Sequence, residues 1–66
     1  MDKKEIGKRL KELRGDKTLN EVATDVGISV SALGMYETGR RVPNDSIKIA
    51  LAKYYGKTVD AIFFAM

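Results

Sequence analysis

Gly27-Ile28-Ser29 leaves one residue between a helix stop and a helix start, and that spacing limits the fold more than any other feature of the chain. Glycine readily adopts the left-handed conformation in which helices end. Serine offers a side-chain oxygen to the first free amides of the helix that follows. Two short helices joined this tightly make a helix-turn-helix. The unit makes further demands, and the sequence meets them. Ala23 is small where the helices approach each other, and Ile28 is an apolar plug under the turn. Leu33 and Tyr36 anchor the second helix to the core.

Similar punctuation divides the rest of the chain. Asp2 and Glu5 have the spacing of a capping box, and Ile6, Leu10 and Leu13 follow as one apolar stripe on a charged rod. Gly15-Asp16-Lys17 reads as a turn. Thr18 and Glu21 repeat the box and open a second helix that buries Val22, Ala23 and Val26. The third helix starts at Ser29 and ends near Thr38, with Gly39 as its stop. Pro43 forces Val42 out of the helical region, so Arg40 to Pro43 is an extended connector. Asn44 or Asp45 caps a fourth helix with Ile47, Leu51 and Tyr55 (or Tyr54) inside, and Gly56 ends it. Thr58 caps a last short helix whose Val59, Ile62 and Phe63 face inward. No stretch alternates long enough to form a strand, so the expectation is an all-α domain of five short helices over residues 1–66.

Composition narrows the function classes. The 66 residues hold no cysteine and no histidine, so neither a disulfide staple nor the commonest general base and metal ligand is present. No nucleophile is paired with a base, and no acidic cluster suggests a zinc site. An enzyme, a metal, a cofactor or a small-molecule ligand is therefore not expected. Met1 to Arg9 is charged, unlike a signal peptide, and no apolar run approaches the roughly 20 residues of a membrane helix. A soluble cytoplasmic domain is the expectation. The net charge of +3 fits a nucleic-acid partner, but its distribution matters more than its total.

Three consecutive segments carry a family resemblance. Glu21-Val22-Ala23-Thr24-Asp25-Val26-Gly27-Ile28-Ser29 resembles the "EELAxxLGIS" of phage repressor/Cro (XRE-type) helix-turn-helix regulators. Ser31-Ala32-Leu33-Gly34-Met35-Tyr36-Glu37-Thr38-Gly39-Arg40-Arg41-Val42-Pro43 resembles their "SxIxxYExGxRxP". Leu51 to Phe63 resembles their "IAKxLGVSxDxLF". The resemblance runs from Ile6 to Phe64 and implies a five-helix repressor/Cro fold. It also implies binding of operator DNA by a bacterial or phage transcriptional regulator, with the third helix (about 30–38) in the major groove. Two departures stand out. Leu19 occupies a position where the family often has a phosphate-gripping glutamine, and the stretch from Arg14 to Ala23 is two residues shorter than usual.

At about 100° per residue the third helix has two faces. Leu33, Tyr36 and Glu37 share one, with Ala32 at its edge. Ser31, Gly34, Met35 and Thr38 share the other, flanked by Val30. The resemblance makes the second face the reading face, so Val30, Ser31, Gly34 and Met35 are the candidate base contacts. Residues 29 to 38 contain no Arg, Lys, Asn or Gln, which removes bidentate base recognition. Methyl contacts with thymine and hydroxyl hydrogen bonds remain. Phosphate contacts are expected from Thr18 and Ser29 at helix starts, from Thr38, and from Arg40 and Arg41 in the loop that crosses the backbone in this family. Lys3, Lys4, Lys8, Lys11 and Lys17 read as a solvated face. The family pattern also implies an internal ion pair between Arg14 and Glu37.

The tail, Ile62-Phe63-Phe64-Ala65-Met66, is apolar throughout. A short helix cannot turn all five side chains inward, so Phe64 and Met66 are expected at the surface, as the contact of a homodimer; the other reading is that the tail folds back over Leu51 and Tyr55 as extra core. An alternative reading is a protein-interaction module, such as an antitoxin or anti-repressor, and the uncharged third helix argues for it. The Arg40-Arg41 pair argues against it.

Overall fold

Each expected cap is found at work in the computed structural model, which describes residues 2–64. Helix α1 spans Lys3–Arg14, α2 Leu19–Val26, α3 Val30–Glu37 and α4 Asp45–Tyr55, and a final wide helical turn covers Asp60–Phe64. Among the described residues there is no strand. The Asp2 carboxylate accepts from the Glu5 amide at 2.9 Å, which is one half of the expected box. At α2 both halves form: Thr18 Oγ1 accepts from the Glu21 amide at 3.1 Å, and Glu21 reaches back to the Thr18 amide at 3.4 Å. Asn44, not Asp45, caps α4, accepting from the Ile47 amide at 3.0 Å. Thr58 Oγ1 accepts from the Ala61 amide at 3.0 Å, and the turn it opens is wider than an α-helical one.

One core holds the elements together. Ile6 and Leu10 of α1, Val22 and Ala23 of α2, Leu33 and Tyr36 of α3, Leu51 and Ala52 of α4, and Ile62 and Phe63 of the final turn are all buried in it. Leu13, Val26, Ile28, Ile47, Tyr54, Tyr55 and Val59 pack around this cluster. No charged or polar residue is wholly buried among the described residues, so burial of these apolar side chains carries the fold, each contributing roughly 1.5–3 kcal/mol for the larger ones. Arg9 closes the chain end onto α1 by donating from Nη1 to the Ala61 carbonyl at 2.6 Å.

Gly27 makes the turn between α2 and α3, with φ 86° and ψ 32°. Both its amide and that of Ile28 donate to the Ala23 carbonyl at 2.9 Å. The left-handed residue and the doubly used carbonyl end α2 abruptly, and the chain is already turned toward α3 at Ser29.

Candidate nucleic-acid interface

Helix α3 is seated on α1 more than on its own hairpin partner. Gly7 of α1 lies so close to the end of α3 that a Cβ there would collide with the Glu37 carbonyl oxygen and come within 2.7 Å of that of Tyr36. Only glycine permits this approach. Beside it, Arg14 grips Glu37 with two parallel hydrogen bonds, Nε to Oε2 at 2.8 Å and Nη2 to Oε1 at 3.0 Å. The Glu37 side chain is 5% exposed and that of Arg14 16%. Arg14 also donates from Nη1 to the Lys17 carbonyl at 2.6 Å. The hydrogen bond to Glu37 raises the guanidinium pKa above its ordinary value. The ion pair implied by the family pattern is therefore present, and it locks the C-terminal end of α3 in place.

The opposite face of α3 is open. Val30 and Ser31 are exposed, and Gly34 and Met35 are partly so. The helix ends one residue earlier than expected, and Thr38 is its C-terminal cap. Past that cap the chain folds back: the amides of Arg40 and Arg41 both donate to the Met35 carbonyl, at 3.0 and 3.3 Å. The two arginines are exposed, and these bonds hold their backbone against the end of the open face. Pro43 then buries itself as the connector leaves for α4.

The hydroxyls differ in what they have left to offer. Ser29 Oγ accepts from the Ala32 amide at 3.0 Å and keeps its own proton for another acceptor. Thr18 Oγ1 accepts from Glu21 and lies 3.3 Å from the same glutamate's carboxylate, which puts a negative charge at the start of α2. Thr38 Oγ1 donates to the Gly34 carbonyl at 2.9 Å. Lys17 is not simply solvated. Its ammonium donates to the Tyr54 hydroxyl at 2.9 Å, and that hydroxyl donates to Asp25 at 2.9 Å. The hydrogen bond to Tyr54 is the main reason the Lys17 pKa is raised. Leu19, where the family often has glutamine, packs against the core instead.

Sequence reasoning overlooked Gly7, although a glycine inside a helical stripe is itself a signal that something must approach closely. It also overlooked the Lys17-Tyr54-Asp25 chain, whose members lie far apart in sequence. Of the expected surface tail, Phe64 is exposed, while Ala65 and Met66 lie outside the described residues. No helix among the described residues is long and apolar enough to cross a membrane.

A profile of the helix-turn-helix family matches residues 8–62, from within α1 into the final turn. Comparison with curated proteins gave no match.

Proposed function

The chain belongs to the XRE-type, Cro/C1-like helix-turn-helix family of DNA-binding transcription regulators, and from that membership we propose that it is a sequence-specific repressor that lays α3 in the major groove of a double-stranded operator. The observation that carries this reading is the division of labour on α3. One face is fixed to the core by Leu33, Tyr36 and the Arg14–Glu37 pair, and the other is left open beside two exposed arginines. A rigid helix with a free face and adjacent cations has what groove entry requires.

Val30, Ser31, Gly34 and Met35 make the base contacts in this reading. Arg40 and Arg41 hold the phosphates, and Ser29 adds a hydroxyl and the amide end of α3. Thr18 and Thr38 belong to the same set by position. Each would exchange an internal hydrogen bond for a phosphate oxygen, so their share of the affinity is smaller. The functional unit is a homodimer on a two-fold operator, and its place is the cytoplasm, on the nucleoid.

The test is selection from a randomised duplex pool, followed by titration of the enriched sequence and a scrambled one at several salt concentrations. Enrichment of a defined sequence is expected. Replacing Arg40 and Arg41 with alanine should weaken binding to both duplexes and lower the slope of log K against log salt by about 0.9 for each phosphate that is no longer neutralised. An unchanged slope would place the phosphate grip elsewhere. A pool with no enrichment at all would leave the uncharged face of α3 as a surface for protein, as in an antitoxin or anti-repressor.

A further inference from the structure

The open face of α3 has a shape as well as a composition. Gly34 sits in its middle, and a Cβ built there would meet nothing within 4 Å. The missing side chain therefore leaves free space on the outside of the helix, unlike Gly7, where it makes room for a neighbour. Val30 lies one turn before Gly34 and Thr38 one turn after, on the same side. Val30 is 41% exposed, so its methyl groups are open to a partner. Thr38 has its hydroxyl tied back to the Gly34 carbonyl at 2.9 Å, so the hydroxyl is already used within the helix. The result is a notch in the face where the helix backbone lies open at Gly34, between the positions of Val30 and Thr38.

We propose that this notch receives the C5-methyl group of a pyrimidine, so that the protein reads 5-methylcytosine as it reads thymine. The proposal rests on α3 being the DNA-reading helix, and it adds the chemical class that the helix selects. In the major groove thymine shows a C5-methyl and an O4 acceptor, whereas cytosine shows an N4 amino donor and no methyl. A face carrying Asn, Gln, Arg or Glu separates the two by their hydrogen-bonding groups. The face of α3 has none of these outside the core-facing Glu37. Ser31 is its free hydroxyl among the described residues, and a hydroxyl both donates and accepts, so it satisfies O4 and the amino group alike. The methyl group is then the difference this face registers. A methylated cytosine puts that group at the same place on the groove edge. Operator sites that contain cytosine at the notch position would accordingly be weak when unmodified and strong after C5-methylation.

The experiment uses the full chain and the duplex enriched from the randomised pool. At each thymine of that duplex, four versions are titrated: thymine, uracil, cytosine and 5-methylcytosine, each opposite its pairing base. At the notch position uracil should bind about fourfold more weakly than thymine, the fold-change corresponding to about 0.8 kcal/mol for one buried methyl. Methylated cytosine should recover about the same factor over cytosine. In Gly34→Ala a methyl fills the notch, and both ratios should fall to one while the melting temperature stays at or above that of the parent. Equal binding of uracil and thymine at every position, or of cytosine and its methylated form, overturns the proposal. So do ratios that survive in Gly34→Ala, because the methyl would then be read somewhere else. A pool that yields no enriched duplex removes the underlying DNA-reading assignment as well, and that outcome is distinct from all the others.

Discussion

Gly7 and Gly34 both sit in helix interiors, yet they call for opposite responses to the same substitution. An alanine at 34 meets open space and gains helix propensity of about 1 kcal/mol. An alanine at 7 drives its methyl into the Tyr36 and Glu37 carbonyl oxygens, which are backbone atoms and cannot rotate aside. With both clashing atoms in the backbone, overpacking of that kind costs about 3 kcal/mol, the upper end of its usual range, and more than cancels the propensity gain. For a chain of this length about 1 kcal/mol moves the melting temperature by about 4–8 °C. Thermal denaturation should therefore show Gly34→Ala several degrees above the parent and Gly7→Ala several degrees below it. Equal shifts in one direction would mean that α1 and α3 are not packed as described. Tyr55 offers a second test at this scale. Its hydroxyl is buried without a hydrogen-bond partner, and its pKa is pushed up from 10.0 to about 12 by burial first, then by Glu37 and Tyr54, against a lowering from Arg14. Because the folded value lies above the unfolded one, the neutral phenol supports the fold below pH 10.0, and that support is lost as pH rises toward about 12. Tyr55→Phe removes an unpaired polar group, so it should leave stability at neutral pH unchanged or raise it by up to about 1 kcal/mol. It should also make the alkaline loss of stability shallower. A large loss at neutral pH would reveal a partner for the hydroxyl.

Among the elements, α3 depends most on a neighbour far away in the chain, and the Arg14–Glu37 pair is where that dependence can be measured. Breaking a buried pair costs about 3–5 kcal/mol when the remaining charge cannot reach water. The two sides differ here: Glu37 is the more deeply buried, while Arg14 keeps the Lys17 carbonyl and some solvent. Arg14→Met should thus cost about 3 kcal/mol and Glu37→Gln about half that, as chemical denaturation would show. Arg14→Lys should not rescue, because an ammonium cannot form the two parallel bonds. If Glu37→Gln proves the worse of the two, the carboxylate is better solvated than its burial indicates. This pair also marks the limit of what the sequence shows by itself. The caps at Thr18, Ser29 and Asn44, the stop at Gly27 and the buried stripes are all legible, because each depends on residues within one or two turns. Arg14 and Glu37 are 23 positions apart, and only the family pattern pairs them. Gly7 against Tyr36, Arg9 against Ala61, and Lys17 against Tyr54 are pairings across the fold with no local periodicity to announce them. The open face of α3 was legible as a set of positions. The notch was not, since it depends on what surrounds Gly34.

For the whole molecule, α3 as the proposed reading helix is a small probe. Its open face offers apolar surface and hydroxyls but no bidentate donor, so a single copy has little with which to separate an operator from other DNA. In the proposed homodimer symmetry supplies the remedy, because two copies on a two-fold site would double the interface and add their free energies. The domain measures 28 × 22 × 22 Å. Two of them side by side span more than the roughly 34 Å that separates half-sites one helical turn apart. The surface best suited to join them lies at the final turn. Phe64 is 57% exposed, and the Lys48 ammonium stands 5.0 Å from its ring and 5.8 Å from that of the buried Phe63. Ile49, next to Lys48 in α4, is 49% exposed. In the proposed homodimer Phe64 is the contact, and a second copy of the chain would offer the same side chain in return. Phe64→Asp puts a charge into that surface without touching Ile62 or Phe63. The variant should keep its helical circular dichroism, sediment as a monomer where the parent sediments as a dimer, and bind the full operator roughly a hundredfold more weakly, because the second half-site is no longer an intramolecular event. Its binding to an isolated half-site should not change. A parent protein that sediments as a monomer at tens of micromolar, and protects only one half-site, would rule out this dimer.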